Sequence, residues 1–424
     1  MSRPSCVPVL LRVNRDFRAF WTGQIVSLFG DQITLLALPL LAVLVLRAGP
    51  QDMGYLQAAG LVPTLLFAFH AGAWVDRHGR RRQVMIATDV GRAALLLTIP
   101  MAYVLGRLTM LHLYAVAFAV GTLSVLFMVS YSALFVSMVP REHYVEGNAI
   151  LQGSRALSLM GGPSAAGLLV QLLAAPFALV ADAVSFLVSA LFLGRIRPVE
   201  PPPERGGRDH TVAGARFIAR SPIIRAALGA GATFNFFNYM FSALFVLYAT
   251  RALNVRPAML GAVLGAGAAG AVLGSMITGS VTRRLGVGPA YILGCVLFPL
   301  PLVLVAAAAG PMVMMLGLLF VARFGSGLGV MILDITFGAI SAAIVPPQLR
   351  SRVSGAFTVV NYGVRPIGSV VGGLLGGAIG LQPTLWIATV GAIAGFLWLL
   401  PSPLPRLRTL DDAHHADQRP SQIA

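Results

Sequence analysis

Charge is what this chain has least of. Only 11% of its 424 residues are charged, against about 25% in an average soluble domain. A water-soluble particle of this length needs more polar surface than that, so soluble enzymes and multidomain soluble proteins are excluded. Lysine is missing: all 31 basic residues are arginine, beside 15 acidic ones. That absence matches the codon usage of a GC-rich genome and carries no mechanistic weight. The two cysteines, Cys6 and Cys295, are too few and too far apart for a disulfide framework. Cysteine and histidine placement gives no metal-ligand spacing. No Walker phosphate loop is present, which removes ATP as a direct driver for this chain, and no enzyme constellation or cofactor motif stands out. No cleavable signal is expected, because residues 1–18 are mixed and arginine-bearing and the first apolar run is too long for a signal core.

What is present in quantity is apolar sequence. Hydrophobic residues make up 57% of the chain, and the mean hydropathy is +0.81. A spanning helix takes roughly 20 apolar residues, so twelve would use about 240 and leave about 180 for loops and tails. Apolar runs predict spans at 19–46, 54–75, 84–105, 110–138, 148–172 and 176–194, then at 223–249, 258–281, 288–308, 311–344, 353–379 and 382–402. None shows the alternation of a spanning β-strand. The expected class is an all-α membrane protein of twelve transmembrane helices.

Arginine placement sets the expected orientation. With the N-terminus in the cytoplasm, the tails and even-numbered loops hold 23 arginines and the opposite loops only Arg47, Arg107, Arg251 and Arg256. Basic residues accumulate on the cytoplasmic side, so both termini are expected there. The net charge of +16 then records topology rather than nucleic-acid binding. The organisation read from these runs is a cytoplasmic segment 1–18, a six-helix bundle 19–196, a linker 197–222, a second bundle 223–404 and a disordered tail 405–424. Within the linker, 209–221 has the pattern of a short amphipathic interfacial helix, although a plain linker fits it better.

The two halves repeat weakly. Val139-Pro140 matches Val345-Pro346 at an offset of 206, as do Gly162, Gly167, Leu168 and Leu169 with Gly368, Gly373, Leu374 and Leu375. At an offset of 207, Gly72 and Gly79 match Gly279 and Gly286, with Arg283 opposite Asp76. A parallel repeat of six spans points to two pseudo-symmetric bundles with a site between them near the bilayer midplane.

The loop after span two reads Gly72-Ala73-Trp74-Val75-Asp76-Arg77-His78-Gly79-Arg80-Arg81-Arg82. Gly72 would let two helices approach closely, and Gly79 would permit a tight turn. Asp76, at the end of a span, can pair with an arginine or cap a neighbouring helix. This stretch resembles the G-x-x-x-D-R-x-G-R-R-R signature of the major facilitator superfamily, matching it at every defining position. The resemblance implies a cytoplasmic latch built from Gly72, Asp76, Arg77, Gly79, Arg80 and Arg81 that breaks when the two halves rock. The second copy, with Arg283 for Asp76, departs from it. Asn14-Arg15-Asp16-Phe17-Arg18-Ala19-Phe20-Trp21, followed by Gly23-Gln24, Ser27 and Gly30-Asp31, resembles the opening of the branch that contains the enterobactin exporter and macrolide efflux pumps. Asp182-Ala183-Val184-Ser185-Phe186 resembles it too. Gly161-Gly162-Pro163 and Gly167 in span five are similar to the glycine-proline motif of superfamily exporters, with ordinary helix packing as the alternative reading.

Charges inside spans are expensive, roughly 2.5–3.5 kcal/mol each on insertion scales, and default to function. Asp31, mid-span, is the first candidate for a protonatable or substrate-contacting group; a carboxylate satisfied by Gln32, Thr34 or a neighbouring helix is the alternative. Asp89 and Arg92, three apart, share a helix face and can form a structural or gating pair. Arg323 is placed to hold an anionic substrate or a carboxylate, Asp334 lies farther along the same span, and Arg365 can answer Asp76 or Asp334. Asn235 and Asn238, among Phe234, Phe236, Phe237 and Tyr239, suit an amphiphile pocket or a lipid-facing stripe equally. His70 is a weaker relay candidate, and Asp182 is expected to be shallow and structural.

The expectation is a secondary transporter working by alternating access as a monomer in the cell membrane. The resemblance implies proton-driven efflux of a small amphipathic or anionic compound. Uptake or facilitated diffusion of a nutrient is the runner-up, and a non-transporting membrane scaffold or sensor is a distant third. Single cysteines introduced in 140–147 and in 197–222 should be labelled by an impermeant maleimide from the same side of the membrane. Labelling from opposite sides would overturn the topology.

Overall fold

The computed structural model describes residues 8–197 and 211–412, apart from the side chains of Phe69, Ala73, Asp76, His78, Ser351 and residues 211–215. A chain this apolar has one economical way to satisfy its backbone in hydrocarbon, since a helix bonds every interior N–H and C=O within itself. Among the described residues twelve main helical segments result. They are α1 (Arg15–Leu44), α2 (Pro50–His78), α3 (Arg81–Val104), α4 (Met110–Met138), α5 (Tyr144–Leu173) and α6 (Ala175–Arg195). Then come α7 (Pro222–Leu247, continued by a wider turn over Tyr248–Ala252), α8 (Pro257–Leu285) and α9 (Val287–Leu297). Last are α10 (Met312–Ile344), α11 (Arg350–Ile379) and α12 (Leu381–Ala394). Pro299 and Pro301 break α9, which resumes as a tight turn over Leu300–Leu302 and a last turn over Val303–Ala306.

Among the described residues ten segments are long and apolar enough to cross a membrane. The other two, α2 and α11, have 29 and 30 residues and include side chains outside the described residues; α11 also carries Asn361 and Arg365 along its length. Several helices start earlier than the apolar runs do, at Arg15, Tyr144 and Arg350. Hydropathy reports hydrocarbon depth, whereas the helix begins where its end groups are satisfied. The Asn14 side chain accepts from the Phe17 N–H at 2.9 Å and donates to the Met138 carbonyl at 3.0 Å, so it caps α1 and ties it to the end of α4. A helix also forms over Thr211–Arg220, within the stretch considered for an interfacial helix; residues 209 and 210 lie outside the described residues.

The repeat is far clearer in the backbone than in the sequence. The pairs α1/α7 and α2/α8 start 207 residues apart, and α3/α9, α5/α11 and α6/α12 start 206 apart. Among the described residues eight have positive φ, and they fall into four pairs at the helix connections: Arg47 with Asn254, Gly79 with Gly286, Gly106 with Gly310, and Ala174 with Gly380. Gly79, at φ 61°, makes the tight turn expected of it.

The chain divides into two compact units. Unit one comprises Met1–Ala48, Ala59–Gly207 and Arg256–Ala262; unit two comprises Gly49–Ala58, Arg208–Val255 and Val263–Ala424. In unit one α6 packs on α1 and α3, α1 on α5 and α3 on α4. Its core, at the arginine-rich end, gathers Phe17, Phe20, Met85, Leu134 and Leu193. In unit two α11 and α12 pack on α7, and α9 on α10. The corresponding core gathers Ile223, Ile224, Tyr291, Ile344 and Leu399. Leu404 and Leu407 join it, which corrects the expectation of disorder from residue 405. The Val287 and Gly288 N–H groups donate to the carbonyls of Arg408 and Leu407 at 3.2 and 3.0 Å, so the segment after α12 closes the exposed start of α9. Large apolar side chains on the outer faces remain exposed, among them Leu111, Met276 and Val313, as a lipid-facing surface requires.

Ala174 holds φ 65° and ψ 156°, a region that suits glycine, and its counterpart is Gly380 at φ 94°. A non-glycine residue there costs of order 1–3 kcal/mol. Ala174→Gly should therefore stabilise the protein by about 1 kcal/mol after glycine's own entropic cost, seen as a higher melting temperature of the purified protein.

Candidate functional site

Unit one encloses a cluster of charge. Arg92 on α3 and Asp182 on α6 are buried, and so is Asp89. Arg92 donates to the Asp89 carboxylate one turn away. Its guanidinium lies over two rings, 4.4 Å from the centre of Phe127 on α4 and 4.1 Å from that of Phe186 on α6. Ring faces attract cations, so three helices hold one side chain in place. Asp89 Oδ2 and Arg92 Nε, both buried, have no partner among the described residues.

Asp182 is fully buried between helices. It accepts from the Ser185 hydroxyl at 2.9 Å and from the Thr34 hydroxyl of α1. Helix packing accounts for this. A side chain on Gly30 would meet Ser185 Oγ at 2.0 Å and Asp182 Oδ1 at 2.3 Å, so the bare Gly30 lets α6 bring its carboxylate against α1. Thr34, a possible partner of Asp31, therefore serves Asp182. Asp31 is exposed on its helix and makes no hydrogen bond among the described residues. It lies within electrostatic reach of Arg92, Arg155 and Asp182. Beside the cluster, Gln24 donates to Ser189 at 3.2 Å, and Trp21 donates to Ser154 at 2.8 Å.

Unit two carries a second polar cluster, built on the α7–α11 crossing. A side chain on Gly368 would meet the Phe236 carbonyl at 2.1 Å, and one on Gly372 the Met240 carbonyl at 2.8 Å. This close approach sets Asn235 against Arg365. The Arg365 Nε donates to Asn235 Oδ1 at 2.8 Å, and Asn235 Nδ2 donates to Asn361 Oδ1 at 3.0 Å and to the Gly231 carbonyl at 2.9 Å. The guanidinium stacks 3.8 Å from the Tyr362 ring centre and 5.1 Å from that of Tyr239. Of the two partners expected for Arg365, Asp334 lies within electrostatic reach but forms no ion pair with it, because Asn235 already occupies Nε. Asn238 is half-buried with no hydrogen bond among the described residues. Phe234 turns inward, away from any lipid-facing stripe. Arg323 lies over Phe245 at 3.9 Å and over Phe241 at 5.6 Å, and its buried Nε has no hydrogen-bond partner among the described residues.

The motif after α2 is only partly visible, because the Asp76 side chain lies outside the described residues. Arg77 and Arg80 are exposed and Arg81 is buried. Arg82 donates to the Ile196 carbonyl, fastening the end of α6. Among the described residues nothing lies within 4 Å of where a side chain on Gly72 would project. Arg283, in the second copy, donates to Ser280 at 2.9 Å instead of to a carboxylate. In the span-five motif, a side chain on Gly162 would meet Gln32 at 2.5 Å and one on Gly167 the Pro257 carbonyl at 2.3 Å. The Pro163 carbonyl would lie 2.1 Å from a side chain on Gly261. Gly161 has only Phe29, at 3.6 Å, beside it. His70 is exposed.

The family model described as transmembrane secretion effector matches residues 10–423. The chain belongs to this family of major facilitator transporters. The multidrug efflux pump Tap of Mycolicibacterium fortuitum is 27% identical over 413 residues, covering 90% of this chain and 94% of the pump. The MFS-type transporter YfiS of Bacillus subtilis is 24% identical, covering 88% and 89% of the two chains. Among solved structures, a bacterial homologue of the iron transporter ferroportin in an inward-facing state has a TM-score of 0.72 at 16% identity, covering 93% of this chain and 99% of that one. The nucleoside transporter NupG has a TM-score of 0.71 at 12% identity, covering 91% and 98%. The fold is therefore the major facilitator fold, and the protein is a multi-pass membrane transporter, not an enzyme.

Sequence reasoning singled out Asp31, Asp89 and Arg92 without joining Asp182 and Arg155 to them, and Asn235 and Arg365 without their companions Asn361 and Tyr362. The Asp182–Phe186 stretch was the available signal: its Asp, Ser and Phe all enter the unit-one cluster. Removing one partner of a buried pair costs about 3–5 kcal/mol because the other charge is stranded. Arg92→Ala should lower thermal stability by that order, and the Arg92→Ala/Asp89→Ala double variant should recover part of the loss.

Proposed function

We propose that this transporter is a proton-coupled exporter of small amphipathic compounds. It works by alternating access in the cell membrane, with both termini in the cytoplasm. The observation that carries the coupling is a charge count inside unit one. Three carboxyl groups, Asp31, Asp89 and Asp182, share one electrostatic neighbourhood with two guanidiniums, Arg92 and Arg155. One negative charge is left over. An unbalanced charge within a span costs roughly 2.5–3.5 kcal/mol on insertion scales, and binding a single proton removes it.

Asp89 is engaged by Arg92 and Asp182 by two hydroxyls, whereas Asp31 is exposed without a hydrogen bond. Asp31 is thus the carboxyl best placed to exchange its proton as the surroundings change. The curated relatives named as multidrug efflux pumps favour export and a broad amphipathic cargo. The glycine contacts around Pro163 supply a crossing without side-chain bulk where α5 can bend. The arginine-rich loop after α2 supplies the latch on the cytoplasmic side.

Reconstituted into vesicles with an imposed pH gradient, the wild type should move a fluorescent amphiphile against its concentration gradient. Asp31→Asn should abolish the dependence on pH. Transport by Asp31→Asn that still follows the pH gradient removes Asp31 from coupling. Movement down a concentration gradient only, in the wild type, supports a facilitator instead.

A further inference from the structure

We propose that the unit-two cluster is a substrate subsite that takes an organic carboxylate on the guanidinium of Arg365. The inference rests on the transporter reading for its setting and adds a substrate class to it. Arg365 is half-buried in a span and has no carboxylate within ion-pair distance among the described residues. Its surroundings fix it in one pose. Nε is committed to Asn235, Asn235 is anchored by Asn361, and one guanidinium face is covered by the Tyr362 ring. The Tyr239 hydroxyl also lies within hydrogen-bond reach of the guanidinium, so a carboxylate would be met by the remaining terminal N–H donors together with that hydroxyl. The Tyr362 and Tyr239 rings beside it offer an apolar platform for an aromatic body.

Charge balance points the same way. Away from the helix ends, unit two holds Arg323 and Arg365 against Asp334, an excess of one positive charge, whereas the unit-one cluster has an excess of one negative charge. Within a membrane each excess calls for a counter-charge. The small mobile one available to a carboxylate cluster is a proton; the one suited to a forked guanidinium is an anionic group of the cargo. Asp334, within electrostatic reach of Arg365 but unpaired with it, disfavours a second anion and so limits the site to one.

The test is equilibrium binding to the purified full-length transporter in lipid nanodiscs, without any gradient. The probes are fluorescein and its methyl ester, which differ only in the carboxylate. The wild type should bind the acid about tenfold more tightly than the ester, equivalent to about 1.4 kcal/mol. Arg365→Gln should erase that preference. Arg365→Lys, which keeps the charge but not the fork, should retain only part of it. Asn235→Ala, which frees Nε but leaves the cation, should weaken it, and this keeps the test open if Arg365→Gln misfolds. Equal binding of the two probes by the wild type, no binding of the acid, or an undiminished preference in a folded Arg365→Gln would overturn the proposal. Loss of pH-driven export with the carboxylate preference intact would sink the coupling reading and leave this one standing.

Discussion

A guanidinium held between two aromatic rings, deep among apolar helices, is the contact on which unit one depends. Arg92 cannot lose its charge, so the residues around it are arranged to tolerate a permanent cation: Phe127 and Phe186 on its faces, Asp89 at its end, and two more carboxyls within reach. Helices α3, α4 and α6 meet at this one side chain. Gly30 then matters because it lets α6 carry Asp182 up to α1. The chemistry of the cluster and the packing of the helices are the same fact seen from two sides.

The two halves share a scaffold and differ in what they hang on it. Helix starts and left-handed turns repeat at 206 or 207 residues almost throughout, yet the interior charges do not. In the repeat register Asp31 is answered by Asn238, Arg155 by Asn361, Asp89 by Cys295 and Asp182 by Ala388. One unit collects acid, and the other keeps arginine supported by amides and phenols. A duplicated frame with opposite electrostatic content fits the proposed division of labour, in which one unit takes a proton and the other an anionic group of the cargo. Fold alone would not have revealed this, since superfamily members share architecture across unrelated cargoes.

Much of the architecture was readable from the sequence because hydrocarbon leaves the backbone few options, and run length alone then locates the helices. The site was readable only in part. Asp89 and Arg92 lie on one helix at a spacing that guarantees proximity, so their pairing needed no tertiary information. Asp182 joins through a contact between α1 and α6, residues about 150 apart in sequence, and its partner Thr34 stood equally available to Asp31. Arg365 was offered two acidic partners on charge alone, but the α7–α11 crossing delivers an amide first. In each case the deciding element was which helix faces which, and hydropathy does not encode that.

A loose tail was expected to begin at residue 405, yet the backbone of Leu407 and Arg408 stitches onto the first residues of α9, and Leu407 sinks into the unit-two core beside Leu404. The protein's folded body thus ends beyond the last spanning helix. A reporter, affinity handle or truncation placed directly after α12 would cut through a structural seam, whereas a junction beyond Arg408 would spare it.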